Sequence, residues 1–329
     1  MLVGFSLGIL ITSLLTLLLS SDNVIPQGAY GITNETKQAI LDLNRKGLNF
    51  LQEGSYNEAI SYFDKALAIE PNYSMTLNNK GFALFFLGNY SDAFANYDKA
   101  LEVNASNDFA LNNKGYALYS LGNISDSIAY YDKAIELNPS SDNALNNKAL
   151  ALYSLGRYNE AIPFYDKALA IDPNDTSTQE NKALALHELG RDNESIAIYD
   201  MILAVEPDNT VTLKNKGESL YSLGRNMEAM SLYDKALAID PAFPAVLNDK
   251  GVLLMSLGNN SEALTYFDKA LAINPNHAPS LNGKGAALAN LGKYYEGIQY
   301  LDKALAVDPN YAIALDNKNK ILDLLKGGQ

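Results

Sequence analysis

The sequence predicts an all-α fold of eight consecutive pairs of antiparallel helices, and three periodic features support this prediction. Glycine recurs every 34 residues from Gly54 to Gly292. Proline recurs in the same register from Pro71 to Pro309, with Ala105 in the one interrupted place. Between these residues, apolar side chains follow the three- and four-residue spacing of amphipathic helices. Internal repetition with a period of about 20–50 residues is typical of a solenoid.

The period defines the predicted boundaries. Eight repeats of 34 residues cover 40–73, 74–107, 108–141, 142–175, 176–209, 210–243, 244–277 and 278–311. Residues 22–39 are predicted to be a linker, and residues 312–329 a capping helix and tail. The fifth repeat departs furthest from the common pattern, with Gln179, Met201 and Ile202 at positions that differ from the other copies. We therefore expect a weak joint or a specialised contact near the middle of the array.

Each repeat contains the signals for two helices. The first helix ends at the recurring glycine, which suits the left-handed conformation beyond a helix C-terminus. Proline follows the second helix in most copies and stops it. Position 8 is glycine or alanine in every repeat, and position 24 carries a large side chain in every repeat. A small residue facing a large one lets two helices pack closely.

This pattern resembles the tetratricopeptide repeat family. In the second repeat the matching residues are Leu77, Gly81, Leu84, Gly88, Ala93, Tyr97 and Ala100. The resemblance covers residues 40–311. It implies a right-handed superhelical solenoid whose first helices line a concave groove and whose neighbouring repeats complete each other's core.

One departure from the family pattern predicts an interaction. The family often has leucine at position 7, but this chain has lysine there in all eight repeats, and aspartate at position 25 in all eight. A lone charge on a partly buried helix would be costly. We therefore predict a ladder of ion pairs, within repeats or between them. The lysines are Lys46, Lys80, Lys114, Lys148, Lys182, Lys216, Lys250 and Lys284, and the aspartates are Asp64, Asp98, Asp132, Asp166, Asp200, Asp234, Asp268 and Asp302.

Composition excludes several function classes. A net charge of −13 argues against nucleic-acid binding, which needs clustered lysine and arginine. The chain has no cysteine, so thiol chemistry and thiolate metal sites are absent from it. It has only two histidines. An aspartate that recurs once per repeat is more consistent with structure than with a single active site. We expect no catalytic residue, metal or cofactor, and a protein that is not an enzyme.

The first helices carry the candidate binding residues. By the geometry of the family, positions 2, 5, 6, 9, 12 and 13 face the groove. Asparagines at position 6 offer both a donor and an acceptor to a peptide backbone, and they resemble the asparagine ladder in the groove of O-linked N-acetylglucosamine transferases. Aromatic side chains beside them offer apolar anchors. The predicted site consists of Asn79, Asn113, Asn147, Asn181, Asn215, Phe82, Tyr116, Tyr119 and Tyr153.

Alternatives remain open for both sets of residues. The asparagines could instead bond their neighbours, and the rings could pack between repeats. The groove is nearly uncharged, which predicts an uncharged, extended peptide of a partner protein as the ligand. The favoured function is therefore a protein-interaction scaffold. The alternative is an architectural spacer in a cell-envelope assembly with no specific groove ligand.

The N-terminus and the asparagine motifs point to export. Residues 2–19 are uncharged and apolar, and about 18 helical residues are just long enough to cross a bilayer. Residues 1–21 are predicted to be an export signal or a membrane anchor, which would be the chain's contact with a membrane. Asn-x-Ser/Thr occurs at Asn34, Asn72, Asn89, Asn104, Asn123, Asn174, Asn193 and Asn259. These motifs fit a glycoprotein. They fit equally a capping role, in which Ser91, Ser125, Asn193 and Ser261 begin second helices.

Overall fold

A computed structural model describes residues 33–327, and in this range the chain is helical without a strand. Seventeen helices are present in this range, two for each predicted repeat and one at the C-terminal end. In chain order they are α1 (Asn34–Gln52), α2 (Tyr56–Ile69), α3 (Ser74–Phe86), α4 (Tyr90–Val103), α5 (Asp108–Ser120), α6 (Ile124–Leu137), α7 (Asp142–Ser154), α8 (Tyr158–Ile171), α9 (Thr176–Glu188), α10 (Asp192–Val205), α11 (Thr210–Ser222), α12 (Asn226–Ile239), α13 (Pro244–Ser256), α14 (Asn260–Ile273), α15 (Ala278–Asn290), α16 (Tyr294–Val307) and α17 (Ala312–Gly327). The predicted all-α fold of stacked helix pairs is confirmed.

The N-terminal end differs in one respect from the prediction. Helix α1 begins at Asn34, so the end of the segment predicted as a linker is helical. The Thr33 hydroxyl accepts a hydrogen bond from the Thr36 amide at 3.2 Å and caps this helix. The predicted signal or anchor lies outside the described residues. Among the helices between residues 33 and 327, none combines the length and apolar character needed to span a bilayer.

The chain packs as two compact units, and the second begins at Gln179. We call them the N-terminal unit and the C-terminal unit. The division falls within α9, in the repeat whose sequence is the most divergent. Within each unit, the two helices of a repeat pack on each other, and a second helix also packs on the first helix of the following repeat.

The recurring glycines end the first helices as predicted. At Gly122, φ is 86°, and the other seven glycines of the series also have positive φ. Beyond this glycine, the Asn123 amide donates to the Leu118 carbonyl at 2.9 Å. A hydrogen bond of this kind satisfies a carbonyl that the helix leaves unpaired. The left-handed conformation therefore turns the chain directly into the second helix.

Within a repeat, the two helices meet where a small residue faces a large one. A Cβ added to Gly115 would lie 2.7 Å from Cε1 of Tyr131, closer than real side chains approach. Tyr131 is fully buried at position 24, as are its counterparts in the other repeats. The close approach buries a large side chain between two helices in each repeat, and this side chain is an aromatic ring in seven repeats and Leu301 in the eighth.

Between repeats, the predicted lysine–aspartate ladder is confirmed, and the structure shows that it joins neighbours. Within the two units, six of the lysines at position 7 each pair with the aspartate at position 25 of the preceding repeat. Lys318 of α17 continues the series and lies 2.6 Å from Asp302. The pairs within the two units are Lys80–Asp64 (2.6 Å), Lys114–Asp98, Lys148–Asp132, Lys216–Asp200 (2.5 Å), Lys250–Asp234 and Lys284–Asp268 (2.5 Å).

The lysines also contact aromatic rings of their own repeat. Lys148 Nζ lies 3.9 Å from the ring centroid of Phe164, and Lys284 Nζ lies 4.1 Å from that of Tyr300. Burial alone lowers the pKa of Lys284, but its hydrogen bonds to Asp268 and Tyr300 outweigh burial, and the pKa is raised. One ammonium group thus connects three helices from two repeats.

We predict that Asp98→Asn destabilises the N-terminal unit by about 1 kcal/mol, because it removes the counter-charge of Lys114. The lysine side chain is 12% exposed, so water replaces the lost partner poorly, although Asp98 itself is 59% exposed. Urea unfolding followed by circular dichroism, in a double-mutant cycle with Lys114→Met, measures the coupling. The exposed pair Lys320–Asp316 supplies the control substitution Asp316→Asn. Equal effects of Asp98→Asn and Asp316→Asn would contradict the prediction.

Candidate peptide-binding face

The first helices have one face that is predicted to line the groove, and it contacts second helices where those helices begin. It consists of positions 2, 5, 9, 12 and 13, and we call it the first-helix face. In α5, Tyr116 and Tyr119 lie half-buried on this face, whereas Leu111 and Gly115 are buried on the opposite side. Position 6 lies beside the face, between adjacent first helices, and is buried there. The prediction that position 6 faces the groove is therefore corrected.

Of the predicted asparagines, Asn79, Asn113 and Asn147 each donate to an asparagine of the preceding repeat. Asn113 Nδ2 donates to Asn78 Oδ1 at 3.0 Å, and Asn147 Nδ2 donates to Asn112 Oδ1 at 3.0 Å. In α17, Asn317 donates to Asn282 in the same way. The position-6 side chains are at most 7% exposed, and they are Asn79, Asn113, Asn147, Asn181 and Asn215. Where these bonds form, the amide donors are used inside the array, which disfavours direct bonding to a ligand.

We predict that Asn113→Ala lowers the stability of the N-terminal unit by about 1–3 kcal/mol. The substitution removes the donor that Asn78 Oδ1 accepts from, and Asn78 is fully buried. Thermal unfolding of the full chain tests this. Asn159→Ala is the control, because Asn159 is exposed at the start of α8. Matching melting curves for the two variants would show that the amide contact does not stabilise the array.

The first-helix face of repeats two to four is uncharged. The residues at its fifteen positions are Met75, Asn78, Phe82, Phe85, Phe86, Phe109, Asn112, Tyr116, Tyr119, Ser120, Asn143, Asn146, Leu150, Tyr153 and Ser154. Of the four predicted aromatic residues, Phe82 is buried, while Tyr116, Tyr119 and Tyr153 are half-buried. Three of the four rings therefore remain partly accessible on a surface without charge.

The rings form a continuous cluster around Phe86. Its ring centroid lies 4.7 Å from that of Phe82, 5.6 Å from that of Tyr56 and 6.4 Å from that of Tyr116. Further along, Tyr119 Oη lies 2.8 Å from Ser154 Oγ of the next repeat. These contacts hold the rings in place before any ligand arrives.

The sequence interpretation missed one contributor to this surface. Second helices begin at position 17, and tyrosine occupies this position in four repeats. Tyr56 stacks on Phe86, Tyr90 packs against Phe85 at 5.3 Å, and Tyr158 packs against Tyr153 at 5.1 Å. The recurrence of tyrosine at one repeat position was the available signal.

In the C-terminal unit, the first-helix face carries charge, which corrects the expectation of an almost uncharged groove. Lys214 Nζ lies 2.8 Å from Glu218 Oε2 and 3.9 Å from Asp249 Oδ2. Thr212 Oγ1 donates to Glu180 Oε1 at 2.6 Å. Lys214 and Asp249 stand at the positions where the N-terminal unit pairs two asparagines. A charged pair thus replaces an amide pair at this junction.

Asp249 is the most perturbed carboxyl group of this cluster. Its pKa is raised to about 7, mainly by burial and next by the nearby Glu218, while Lys214 opposes both effects. Its Oδ2 atom is buried without a hydrogen-bond partner. Because the folded-state pKa lies above the ordinary value of 3.8, ionisation of this group lowers stability as the pH rises from about 4 to about 7, and the loss is complete above that pH.

We predict that Asp249→Asn makes the C-terminal unit more stable than the parent at pH 8, by about 1–4 kcal/mol. The difference should shrink as the pH falls and disappear near pH 4. Chemical unfolding of the full chain across this pH range measures the difference. Glu296→Gln, on the exposed surface of the same unit, controls for loss of one negative charge. A gain that is constant with pH would contradict the prediction.

His187, at position 12 of the first-helix face, lies in a serine–histidine–aspartate arrangement. Its Nδ1 lies 2.5 Å from Asp192 Oδ1 and 3.4 Å from Ser219 Oγ. A catalytic triad uses the two ring nitrogens for different partners, whereas both contacts here involve the same one. The geometry therefore orients the ring and does not activate a serine. In the part of the chain described, no three His, Cys, Asp or Glu side chains form a group that could hold a metal ion.

The fold and this face define a class of repeat protein built from stacked helix pairs. Family models described as tetratricopeptide repeat match residues 41–73, 78–142, 112–176, 152–212, 215–243, 244–277 and 266–299. The chain belongs to the tetratricopeptide repeat family. Proteins of this family generally act as scaffolds for protein–protein interaction.

Solved structures show the same fold at low sequence identity. A tetratricopeptide repeat protein from Parabacteroides merdae is 20% identical, with a TM-score of 0.58 over 76% of this chain and 99% of that chain. The APC/C hetero-tetramer Cut9–Hcn1 contains a chain that is 15% identical, with a TM-score of 0.61 over 88% of this chain and 57% of that chain. The thermophilic TPR protein TTC0263 of Thermus thermophilus is 20% identical, with a TM-score of 0.51 over 55% and 99% of the two chains. No curated protein matches the sequence.

Proposed function

We propose that the N-terminal unit binds an extended, uncharged segment of a partner protein on the first-helix face of repeats two to four. The observation that carries the proposal is a face without charge that presents the half-buried rings Phe86, Tyr116, Tyr119 and Tyr153. The free-energy cost of removing water is smaller for an uncharged peptide than for a charged one. A charged peptide would be desolvated there without a counter-charge.

Tyrosine suits this role for two reasons. Its ring contributes apolar contact area at a low entropy cost, and its hydroxyl group can hydrogen-bond a peptide backbone. The rings are already ordered by their contacts with one another, as in the pair of Tyr153 and Tyr158. A ligand would therefore meet a preorganised surface, which reduces the entropy lost on binding.

The asparagines take an indirect part in this proposal. Bonds such as that from Asn113 to Asn78 connect successive first helices. They fix the spacing between the tyrosines of adjacent repeats, so the amides position the binding surface and the rings contact the ligand. Loss of an amide should consequently reduce stability first and binding second.

The location of the protein is a separate part of the proposal. We propose that the chain acts outside the cytoplasm, exported or anchored through residues 1–21. The support is the uncharged apolar run of residues 2–19. A scaffold in that location would hold its partner at the cell envelope.

We predict that replacing Tyr119 and Tyr153 together by alanine weakens binding at least about tenfold, because each substitution removes an aromatic anchor. Peptides selected from a random display library on the full chain supply the probe, and fluorescence anisotropy measures affinity. Tyr295→Ala is the matched control, since this ring is 75% exposed in the C-terminal unit. Affinity should change little between low and high salt, because no charge pair forms.

Two outcomes would contradict this proposal. One is unchanged affinity of the double variant, and the other is selection of strongly charged peptides alone. If neither the library nor the native envelope fraction yields a ligand for this face, the architectural spacer is the better account. The rings would then serve the packing between repeats.

A further inference from the structure

The structure distinguishes among the Asn-x-Ser/Thr motifs. Helices α6 and α14 begin at Ile124 and Asn260, so Asn123 and Asn259 are their N-cap residues. Ser125 and Ser261, which the sequence interpretation placed at the caps, lie inside the first helical turn. The N-cap residues of α4 and α10 are likewise Asn89 and Arg191, so the alternative in which Ser91, Ser125, Asn193 and Ser261 cap these helices is wrong.

Capping does not explain the asparagines at these two sites either. Neither Asn123 nor Asn259 accepts a capping hydrogen bond through its side chain. Asn89 occupies the same repeat position and behaves differently, because its Oδ1 accepts from the Asp92 amide at 3.5 Å and its Nδ2 donates to the Asp92 carboxylate at 2.7 Å. Three motifs have their asparagine at the N-cap of a second helix, and capping accounts for Asn89 but not for Asn123 or Asn259.

The turn itself does not require asparagine. At the same position other repeats carry Arg157, Arg191, Arg225 and Lys293, with φ between −80° and −89° and no side-chain cap. The corresponding angles at Asn123 and Asn259 are −81° and −82°. The backbone conformation is therefore independent of the residue, and the asparagines are available for another role.

We propose that Asn123 and Asn259 are acceptors of N-linked glycans, an inference that depends on the proposed export of the chain. Both asparagines are exposed, and so are the serines two residues later. The side-chain amide nitrogen would attack the anomeric carbon of a lipid-diphosphate-linked oligosaccharide. A carbon–nitrogen bond forms and the bond from that carbon to the diphosphate oxygen breaks, so the lipid diphosphate leaves with the electron pair of that bond. The amide nitrogen loses one proton, which passes to water.

Two other motifs serve as internal contrasts, because their hydroxyl groups are buried. Ser74, which completes the motif of Asn72, donates to the Ala100 carbonyl at 2.8 Å and accepts from Asn107 at 2.8 Å. Ser195, which completes the motif of Asn193, is fully buried 3.2 Å from Ser219 Oγ. A transferase that acts on the folded chain cannot reach either hydroxyl, so we assign no glycan to Asn72 or Asn193.

The test uses the full chain purified from the envelope or secreted fraction of the organism that encodes it. Electron-transfer fragmentation of its proteolytic peptides locates any glycan without a deglycosylating enzyme. We expect glycan mass on Asn123 and Asn259 and unmodified Asn72 and Asn193. Ser125→Ala and Ser261→Ala, which keep both asparagines, should each remove one glycan from the intact mass and leave the melting temperature unchanged. Asn159→Gln, an exposed asparagine outside any motif, should remove none.

The proposal is overturned if Asn123 and Asn259 are unmodified in the exported chain, if Asn72 and Asn193 are modified equally, or if Ser125→Ala retains its glycan. A second arm separates export from glycosylation. The full chain is fused behind a cleavable secretion signal and produced in a host that glycosylates secreted proteins. Modification at Asn123 and Asn259 there, with a native chain confined to the cytosol, refutes the proposed export while the acceptor assignment stands. Neither outcome alters the predicted effect of the Tyr119 and Tyr153 substitutions.

Discussion

The contact between a large side chain at position 24 and glycine or alanine at position 8 is the constraint on which the regular packing of the repeats depends. In the third repeat, Tyr131 lies against Gly115 where a Cβ atom could not fit. This contact fixes how deeply the two helices of a repeat approach each other. The lysine–aspartate pairs and the asparagine bonds can recur because each repeat presents these side chains in nearly the same place. A regular spacing within repeats thus makes regular contacts between repeats possible.

Recurrence in the sequence predicts this architecture well, and it predicts the site less completely. The glycine at Gly122 reveals its left-handed turn by its residue type, and the pairing of Lys114 with Asp98 follows from the need to neutralise a partly buried charge. Internal repetition gives a residue's position in the repeat but not which neighbour it contacts. The repetition therefore left open whether the lysine–aspartate ion pairs form within one repeat or between two. Position 6 lies at the edge between two helix faces, so helical periodicity alone could not decide whether Asn113 points to a ligand or to the next repeat.

The non-recurring residues are where sequence reasoning failed. Lys214 and Asp249 each occur at a position that holds asparagine in other copies, and a comparison by position identifies them as exceptions without revealing that they meet. Their meeting replaces a neutral hydrogen bond with a charge in a poorly hydrated place, which costs stability at neutral pH. The two units consequently present chemically different surfaces from one repeat plan: one aromatic and neutral, the other containing Glu180, Lys214 and Glu218.

The helix α17 shows how a stack of this kind is brought to an end. It keeps the linkage to the previous repeat through Lys318 and Asn317, as a ninth first helix would. At position 8, however, it carries Asn319, which is exposed, where all eight repeats have glycine or alanine. A further second helix packed on α17 in the way that α16 packs on α15 would meet this amide side chain. The side of α17 that a further second helix would occupy therefore lacks the small residue that all eight repeats provide at this position.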